Sequence, residues 1–225
     1  MPMKPLSSSP SLVEQVRDAV LAEITSGRIP PGTRVVQEPL AQALGVSRQP
    51  VQQALLLLRD QGVLREAAGR GLEVAPLDAD AVQHMYDLRG AIEAMAARRA
   101  AERSAERAAR LGPALIEAGR KAVVQGSVAK MVAADRRFHE FVYELAGNPL
   151  VGTAMAVHWT YTERVMSEVL QRDEAPHNVW DQHAAILEAI AAGDPDRAEA
   201  LSREHADKAA AFMTARLRAV GPHAA

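Results

Sequence analysis

Four polar side chains interrupt apolar helical stripes in the later part of the chain. Over residues 128–146 the apolar positions Val128, Val132, Val142 and Ala146 recur at helical spacing, and Asp135 and His139 occupy the places where the stripe should continue. An i,i+4 pair shares one helix face, so both side chains should point inward together. Val179, Ile186 and Ile190 form a second stripe whose gap is His183, and Leu201, Ala209 and Phe212 flank His205 in the same way. A buried carboxylate without a partner is costly, and one cation would satisfy all four groups at once. Imidazole nitrogens beside a carboxylate oxygen suit Zn²⁺ first, and also Ni²⁺, Mn²⁺ or Fe²⁺. The alternative is a set of core histidines, each donating to a backbone carbonyl, with Asp135 paired to Arg136 or Arg89. Any one histidine favours that simpler account; four interruptions in three stripes together favour the ion.

A second group could read nucleic acid. Ser47, Arg48, Gln49 and, one turn along, Gln52 stand at the start of a helix that follows a tight turn. Arg can bond both guanine acceptors, Gln can bond adenine in the same bidentate way, and Ser47 at the helix N-terminus suits a phosphate oxygen. Arg70 lies between Gly69 and Gly71, where it could reach a phosphate or the minor groove, and Arg34 could add a phosphate contact. Solvated polar residues on a small helical domain are the plainer explanation. An Arg held between two glycines at a hairpin tip is harder to explain by packing.

The elements that must hold these groups follow from the punctuation. Ser11 is a candidate N-cap for a helix carrying Leu12, Val16, Val20 and Ile24, ended by Gly27 and the turn Pro30-Pro31-Gly32. A short helix fits Glu38–Leu44 before Gly45. Ser47 can cap a third helix with Val51, Ala54, Leu55 and Leu58, stopping at Gly62. Val63–Glu66 and Leu72–Ala75 read as two strands around Ala67–Gly71, a hairpin with two glycines. Helix, helix–turn–helix and hairpin together describe a winged helix-turn-helix.

After residue 77 the chain is rich in Ala, Leu, Glu and Arg, which favours helix. Six helices are expected, near 79–104, 106–125, 128–146, 150–171, 177–192 and 195–218, with breaks at Gly126, Gly147-Asn148-Pro149, Pro176 and Gly193-Asp194-Pro195. The predicted fold class is mainly α. Residues 1–77 would form the winged helix-turn-helix DNA-binding domain, and 78–225 an all-α effector-binding and dimerisation bundle.

Composition excludes several classes. There is no Cys among the 225 residues, so disulfide frameworks, thiolate nucleophiles and cysteine zinc fingers are ruled out. The net charge is −2, with 8 Lys/Arg against 7 Asp/Glu in residues 1–77 and 18 against 21 in the rest, so DNA affinity must come from where the Arg residues point. No apolar run approaches the roughly 20 residues that span a bilayer, and Met1–Pro10 lacks a signal-peptide core. The expectation is a cytoplasmic protein without membrane contact.

The segment Leu40–Val51, LAQALGVSRQPV, with the preceding Pro-Gly turn and the Gly-tipped hairpin, resembles the DNA-binding domain of GntR-family bacterial transcription regulators. The resemblance runs for about 45 residues without a gap. That family commonly has Arg where Gln52 stands, and in some members where Pro39 stands. The later pattern, Asp135-x-x-Phe138-His139, Gly147-Asn148-Pro149, Gln182-His183-x-x-Ile186-Leu187 and a final His205, is similar to the FadR-like C-terminal (FCD) domain. The resemblance implies an all-α bundle around a metal held by Asp135, His139, His183 and His205, and a small carboxylate effector beside it. The usual Glu before the third ligand is Gln182 here. The resemblance also suggests Arg89 as a cavity-facing residue, its plainer role being a salt bridge to Glu93. His158, Trp159, Tyr161 and Arg164 cluster on a helix that could line the same cavity, with Tyr161 and Arg164 the candidate effector contacts, although such aromatics are more often core. His84, His177 and His223 have no spacing argument and read as surface.

The function implied is a metal-containing, effector-responsive transcription regulator that binds a palindromic DNA operator as a homodimer. The competing class is a metal-dependent hydrolase or lyase with an accessory DNA-binding domain, since such a site could activate water. No further Asp or Glu interrupts a stripe beside the ligands to serve as general base, which disfavours catalysis. A regulator whose four residues contact the effector directly, without an ion, is a third possibility.

Overall fold

A computed structural model describes residues 11–172 and 178–220 of the chain. Pro176, His177, His223 and the N-terminal Met1–Pro10 lie outside the described residues. The chain divides into two compact units, Met1–Pro76 and Leu77–Ala225.

The first unit opens with α1 (Leu12–Thr25), started by a reciprocal capping box: Glu14 N–H donates to Ser11 Oγ (3.2 Å), and Ser11 N–H donates to Glu14 Oε2 (2.7 Å). β1 (Arg34–Val35), α2 (Gln37–Leu44) and α3 (Arg48–Asp60) follow, then β2 (Leu64–Glu66) and β3 (Leu72–Val74). Gly45, at φ +66°, makes the left-handed turn between α2 and α3, a conformation that favours glycine. Val16, Val20, Ile24, Val51, Leu55 and Leu58 form the core, so the stripes on α1 and α3 face each other.

The sheet holds one strand more than the hairpin predicted. Its order is β1-β3-β2, all antiparallel, with Arg34 opposite Glu73 and Val35 opposite Leu72. A two-residue strand is too short to show alternation, and only pairing with residues nearly forty positions later makes it a strand. Ser47 is the N-cap residue of α3 by position, but its side chain makes no cap hydrogen bond.

The second unit is all α among its described residues: α4 (Ala79–Val124), α5 (Val128–Ala146), α6 (Pro149–Leu170), α7 (Val179–Ala191) and α8 (Pro195–Val220). The two helices expected at 79–104 and 106–125 form one helical element whose backbone leaves helical geometry at Ser104 (φ −141°, ψ 27°). That break has a use. Ser104 Oγ donates to the Leu145 carbonyl (2.9 Å) and Arg103 Nη1 to the Ala146 carbonyl (3.0 Å), satisfying acceptors that the end of α5 leaves open.

α4 and α7 approach closely through two glycines. A Cβ on Gly112 would lie 2.3 Å from Leu187 Cδ1, and one on Gly119 would lie 2.0 Å from Trp180 Cζ2. Both contacts seat α7, and hence His183, against the later half of α4. Phe138, Trp159, Ile186 and Ile190 fill the core around them. No helix among the described residues is long and apolar enough to cross a membrane.

Candidate functional site

Asp135 and His139 from α5, His183 from α7 and His205 from α8 are all buried, and each offers one ligand atom such that all four lie within 4.8 Å of one another. His183 Nε2 is 3.2 Å from His205 Nε2 and 3.5 Å from Asp135 Oδ1, while His139 Nε2 is 3.8 Å from the same oxygen. The four interruptions, on three helices, thus meet at one point. These are side chains from helices separated by up to 70 residues of sequence.

Partners on the far side of two rings assign their tautomers. His139 Nδ1 lies 3.2 Å from Glu93 Oε1, and an ionised carboxylate can only accept, so the ring donates there and turns its Nε2 lone pair to the centre. His205 Nδ1 lies 3.0 Å from Gln182 Oε1. Gln182 Nε2 donates to Asn178 Oδ1 (3.3 Å), which identifies Oε1 as the acceptor and leaves the His205 Nε2 lone pair facing inward. Asp135 Oδ2, His139 Nε2 and His183 Nδ1 are buried without a hydrogen-bond partner. Converging lone pairs and a carboxylate with an orphaned oxygen fit a cation better than they fit a closed hydrogen-bond network.

Burial sets the charge states. It pushes the His183 imidazole well below its usual pKa of 6.5, helped by His205, His139 and Arg89. His205 falls to about 3, through burial first and then His139 and Arg89. Both rings are therefore neutral, as ligands must be. Burial alone would raise Glu93, but the Arg89 guanidinium and His139 outweigh it and hold the carboxyl below its usual range.

Glu93 is the site residue that sequence reasoning missed. From the sequence it stands only as a salt-bridge partner of Arg89. Its Oε1 accepts from Arg89 Nε (2.8 Å) and Tyr143 Oη (2.5 Å) as well as facing His139. The signal was present: Tyr86, Arg89, Glu93 and Ala97 share one face of α4, where Glu93 interrupts a buried stripe like the histidines do. Arg89 also approaches Asp135 Oδ2 (3.8 Å) and stacks over the Trp159 ring at 4.6 Å.

A cavity of about 290 Å³ adjoins the cluster, with Arg89, Asp135, Gln182 and His205 in its wall. Arg89 thus does both things considered for it, pairing with Glu93 and facing the cavity. Tyr161 and Arg164 do not line it; on α6 that role falls to Met166 and Leu170. Helical phase is the reason, since Arg164 points roughly 200° around the helix from Met166. Tyr161 instead packs against the apolar cluster that contains Val82, Met85 and Val165, and Arg164 is buried near Tyr161 and Glu168. Trp159 is core and His158 half-buried outside the cavity wall, while His84 is exposed.

In the first unit, Ser47, Arg48, Gln49 and Gln52 are exposed at and just after the start of α3, while Val51, Ala54, Leu55 and Leu58 of the same helix are buried. Arg48 forms an ion pair with Glu38 of α2, and its side chain remains 71% exposed. Arg70 stands exposed at the hairpin tip, and a concave surface joins it to Arg48, Glu38 and Arg34. Arg34 differs from expectation. Its Nη2 donates to the carbonyls of Arg70 (2.7 Å) and Ala68 (3.4 Å), so its guanidinium braces the wing backbone.

Comparison with known proteins matches both units. Residues 84–208 match the FCD domain, and residues 12–74 match the family "Bacterial regulatory proteins, gntR family". A protein of Paenarthrobacter nicotinovorans described as a probable D-xylose utilization operon transcriptional repressor is 28% identical over 87% of this chain and 85% of its own length. The HTH-type transcriptional repressor RspR of Escherichia coli K12 is 24% identical over 85% of this chain and 84% of its own. Among solved structures, E. coli McbR/YncC superposes with a TM-score of 0.75 at 21% identity, covering 91% of this chain and 98% of that one. A GntR regulator from Rhodococcus sp. RHA1 gives a TM-score of 0.74 at 20% identity over 89% and 96% of the two chains.

Proposed function

The chain belongs to the gntR family of bacterial regulatory proteins, with an FCD domain, and is a transcriptional regulator rather than an enzyme; from that premise we propose that its operator affinity is controlled by a small organic acid bound beside a divalent cation on Asp135, His139, His183 and His205. Zinc suits the donor set first, with nickel, manganese or iron next. The observation that carries this reading is the convergence of four buried ligand atoms within 4.8 Å, with Asp135 Oδ2 and His139 Nε2 lacking a hydrogen-bond partner. When bound, the cation supplies a fixed positive charge and an open position for a carboxylate oxygen. Arg89 offsets Glu93, Asp135 offsets half the charge of a divalent ion, and the neutral imidazoles add none. The wall of the cavity is then positive, which selects an anion.

Residues 1–77 would be the DNA-binding domain and 78–225 the effector-binding and dimerisation domain. α3 would enter the major groove with Arg48, Gln49 and Gln52 at base edges and Ser47 at a phosphate, with Arg70 reaching the backbone or minor groove. A homodimer acting in the cytoplasm on a palindromic operator fits a single recognition helix per chain, because two-fold protein symmetry mirrors two half-sites. An effector that prefers one arrangement of the dimer shifts its DNA affinity by that difference in affinity and no more.

The full chain, purified without metal-affinity resin, should contain about one divalent ion per chain, and chelation should lower its melting temperature. The change His183→Ala with His205→Ala should reproduce that loss and abolish the response to chelator. Absence of metal, together with no rise in melting temperature on adding Zn²⁺, Ni²⁺ or Mn²⁺, would sink the cation while leaving the regulator assignment standing.

A further inference from the structure

We propose that the cavity takes a monocarboxylate with an apolar body, not a sugar acid or a polycarboxylic acid. This rests on the effector reading above and narrows it.

The cavity wall changes character within one helical turn of the cluster. On α5 the wall passes from Asp135 to Met131, on α7 from Gln182 to Val179, and on α8 from His205 to Ala209 and then Met213. α6 contributes only Met166 and Leu170. Arg89 and the candidate ligands stand at one end, where they can hold a single carboxylate.

Among the described residues of the wall, the Tyr86 hydroxyl belongs to the carboxylate end beside Arg89, and Asn178 and Lys208 have partners of their own. Asn178 Oδ1 accepts from Gln182, and the Lys208 ammonium pairs with Glu204 (2.6 Å) from a side chain that is 51% exposed. Hydroxyls of a sugar acid, or a second carboxylate, placed beside Met131, Met166, Leu170 and Met213 would lose their water without replacement. An apolar chain or ring would instead bury its surface there. Three methionines suit that role, being soft and able to repack around either shape. His205 to Met213 spans eight residues, or roughly 12 Å of helix, which matches a body of about six to eight carbons.

The test is a calorimetric series on the full chain, both zinc-loaded and chelator-treated: butanoate, hexanoate, octanoate and phenylacetate against gluconate and citrate. Affinity should tighten about fourfold per added methylene, with a negative heat-capacity change, and gluconate and citrate should bind at least tenfold more weakly than hexanoate. Met166→Gln should weaken octanoate about tenfold while leaving zinc affinity within twofold. Affinity independent of chain length, tighter binding of gluconate or citrate, or no binding by any of the acids would overturn the proposal. Zinc titration and operator binding measured on the same preparations report separately on the broader reading. A protein that takes up zinc and binds DNA but prefers gluconate refutes only the apolar class; one that binds octanoate without zinc refutes only the cation.

Discussion

Acid should unfold the metal-free second unit before it affects the carboxylate pairs. His183 and His205 are buried and neutral, with folded pKa values depressed below the usual 6.5. A histidine in this state binds a proton when unfolded but not when folded. Its stabilising contribution is therefore complete above about pH 6.5 and is lost as pH falls toward the folded value. At pH 5.0 the unfolded chain gains about 2 kcal/mol from protonating each ring, or about 4 kcal/mol for the pair. For a unit of this size that corresponds to a fall of about 8–16 °C in melting temperature. Glu93 acts in the opposite sense. Its depressed carboxyl stabilises the fold above its ordinary value of 4.5 and loses that effect only below it, so pH 7.5 to 5.0 isolates the histidines. Circular dichroism melts of chelator-treated protein at those two values would measure the difference. His183→Gln with His205→Gln should remove most of it. An unchanged melting temperature in the wild type, or an equal fall in the double variant, would refute the claim that these rings are held neutral by burial.

Other perturbations separate the remaining roles. Arg48→Ala should reduce the preference for operator over scrambled duplex by about 1–3 kcal/mol in a gel-shift competition, and unchanged discrimination would remove Arg48 from base readout. Arg34→Ala should weaken both duplexes together, because it loosens the wing backbone rather than a base contact; loss of discrimination alone would contradict that. Gly119→Ala gains about 1 kcal/mol of helix propensity but drives a methyl into the rigid Trp180 indole, so melts should show net destabilisation of about 1–2 kcal/mol. Gly152→Ala, with open space around it, should stabilise, and the reverse order would overturn the packing argument. Gln182→Leu removes the acceptor for His205 Nδ1 and should weaken zinc about 10–100-fold in a competition titration, whereas Gln182→Glu, which keeps an acceptor, should not.

The parts of this molecule that were legible in its sequence share a cause: they repeat at a fixed period or break one. α1, α3 and α5 declare themselves by apolar spacing, and Asp135, His139, His183 and His205 stand out because each occupies a place where that spacing demands an apolar residue. β1 is invisible because two residues carry no period and its partner, β3, lies far along the chain. The continuity of α4 through Ser104 is a matter of degree, since the backbone there does leave helical geometry and only the tertiary carbonyls of α5 fix its direction. Tyr161 and Arg164 lie near Trp159 in the sequence of α6, and nearness along the chain alone suggests the cavity for them. About half a turn of phase separates Arg164 from Met166 and Tyr161 from Leu170, and which face of that helix meets the others is decided by packing, not by the helix itself.

Glu93 shows where the same reasoning could have gone further. Four interruptions were enough to propose an ion, yet a metal-binding imidazole needs a partner on its other nitrogen to fix its tautomer. His139 and His205 therefore each imply one more polar residue, facing inward from a neighbouring helix. For His205 that residue is Gln182, which precedes another ligand and so lay inside the motif already noticed. For His139 it is Glu93, on α4, beside the one arginine that was singled out there. The two partners differ in charge, a carboxylate behind one ring and an amide behind the other. With Glu93 neutralised by Arg89, neither adds net negative charge to the centre. With a neutral amide behind one ring and a neutralised carboxylate behind the other, Asp135 is the anion left for the centre among the described residues, and a divalent cation held there would retain positive charge toward the cavity.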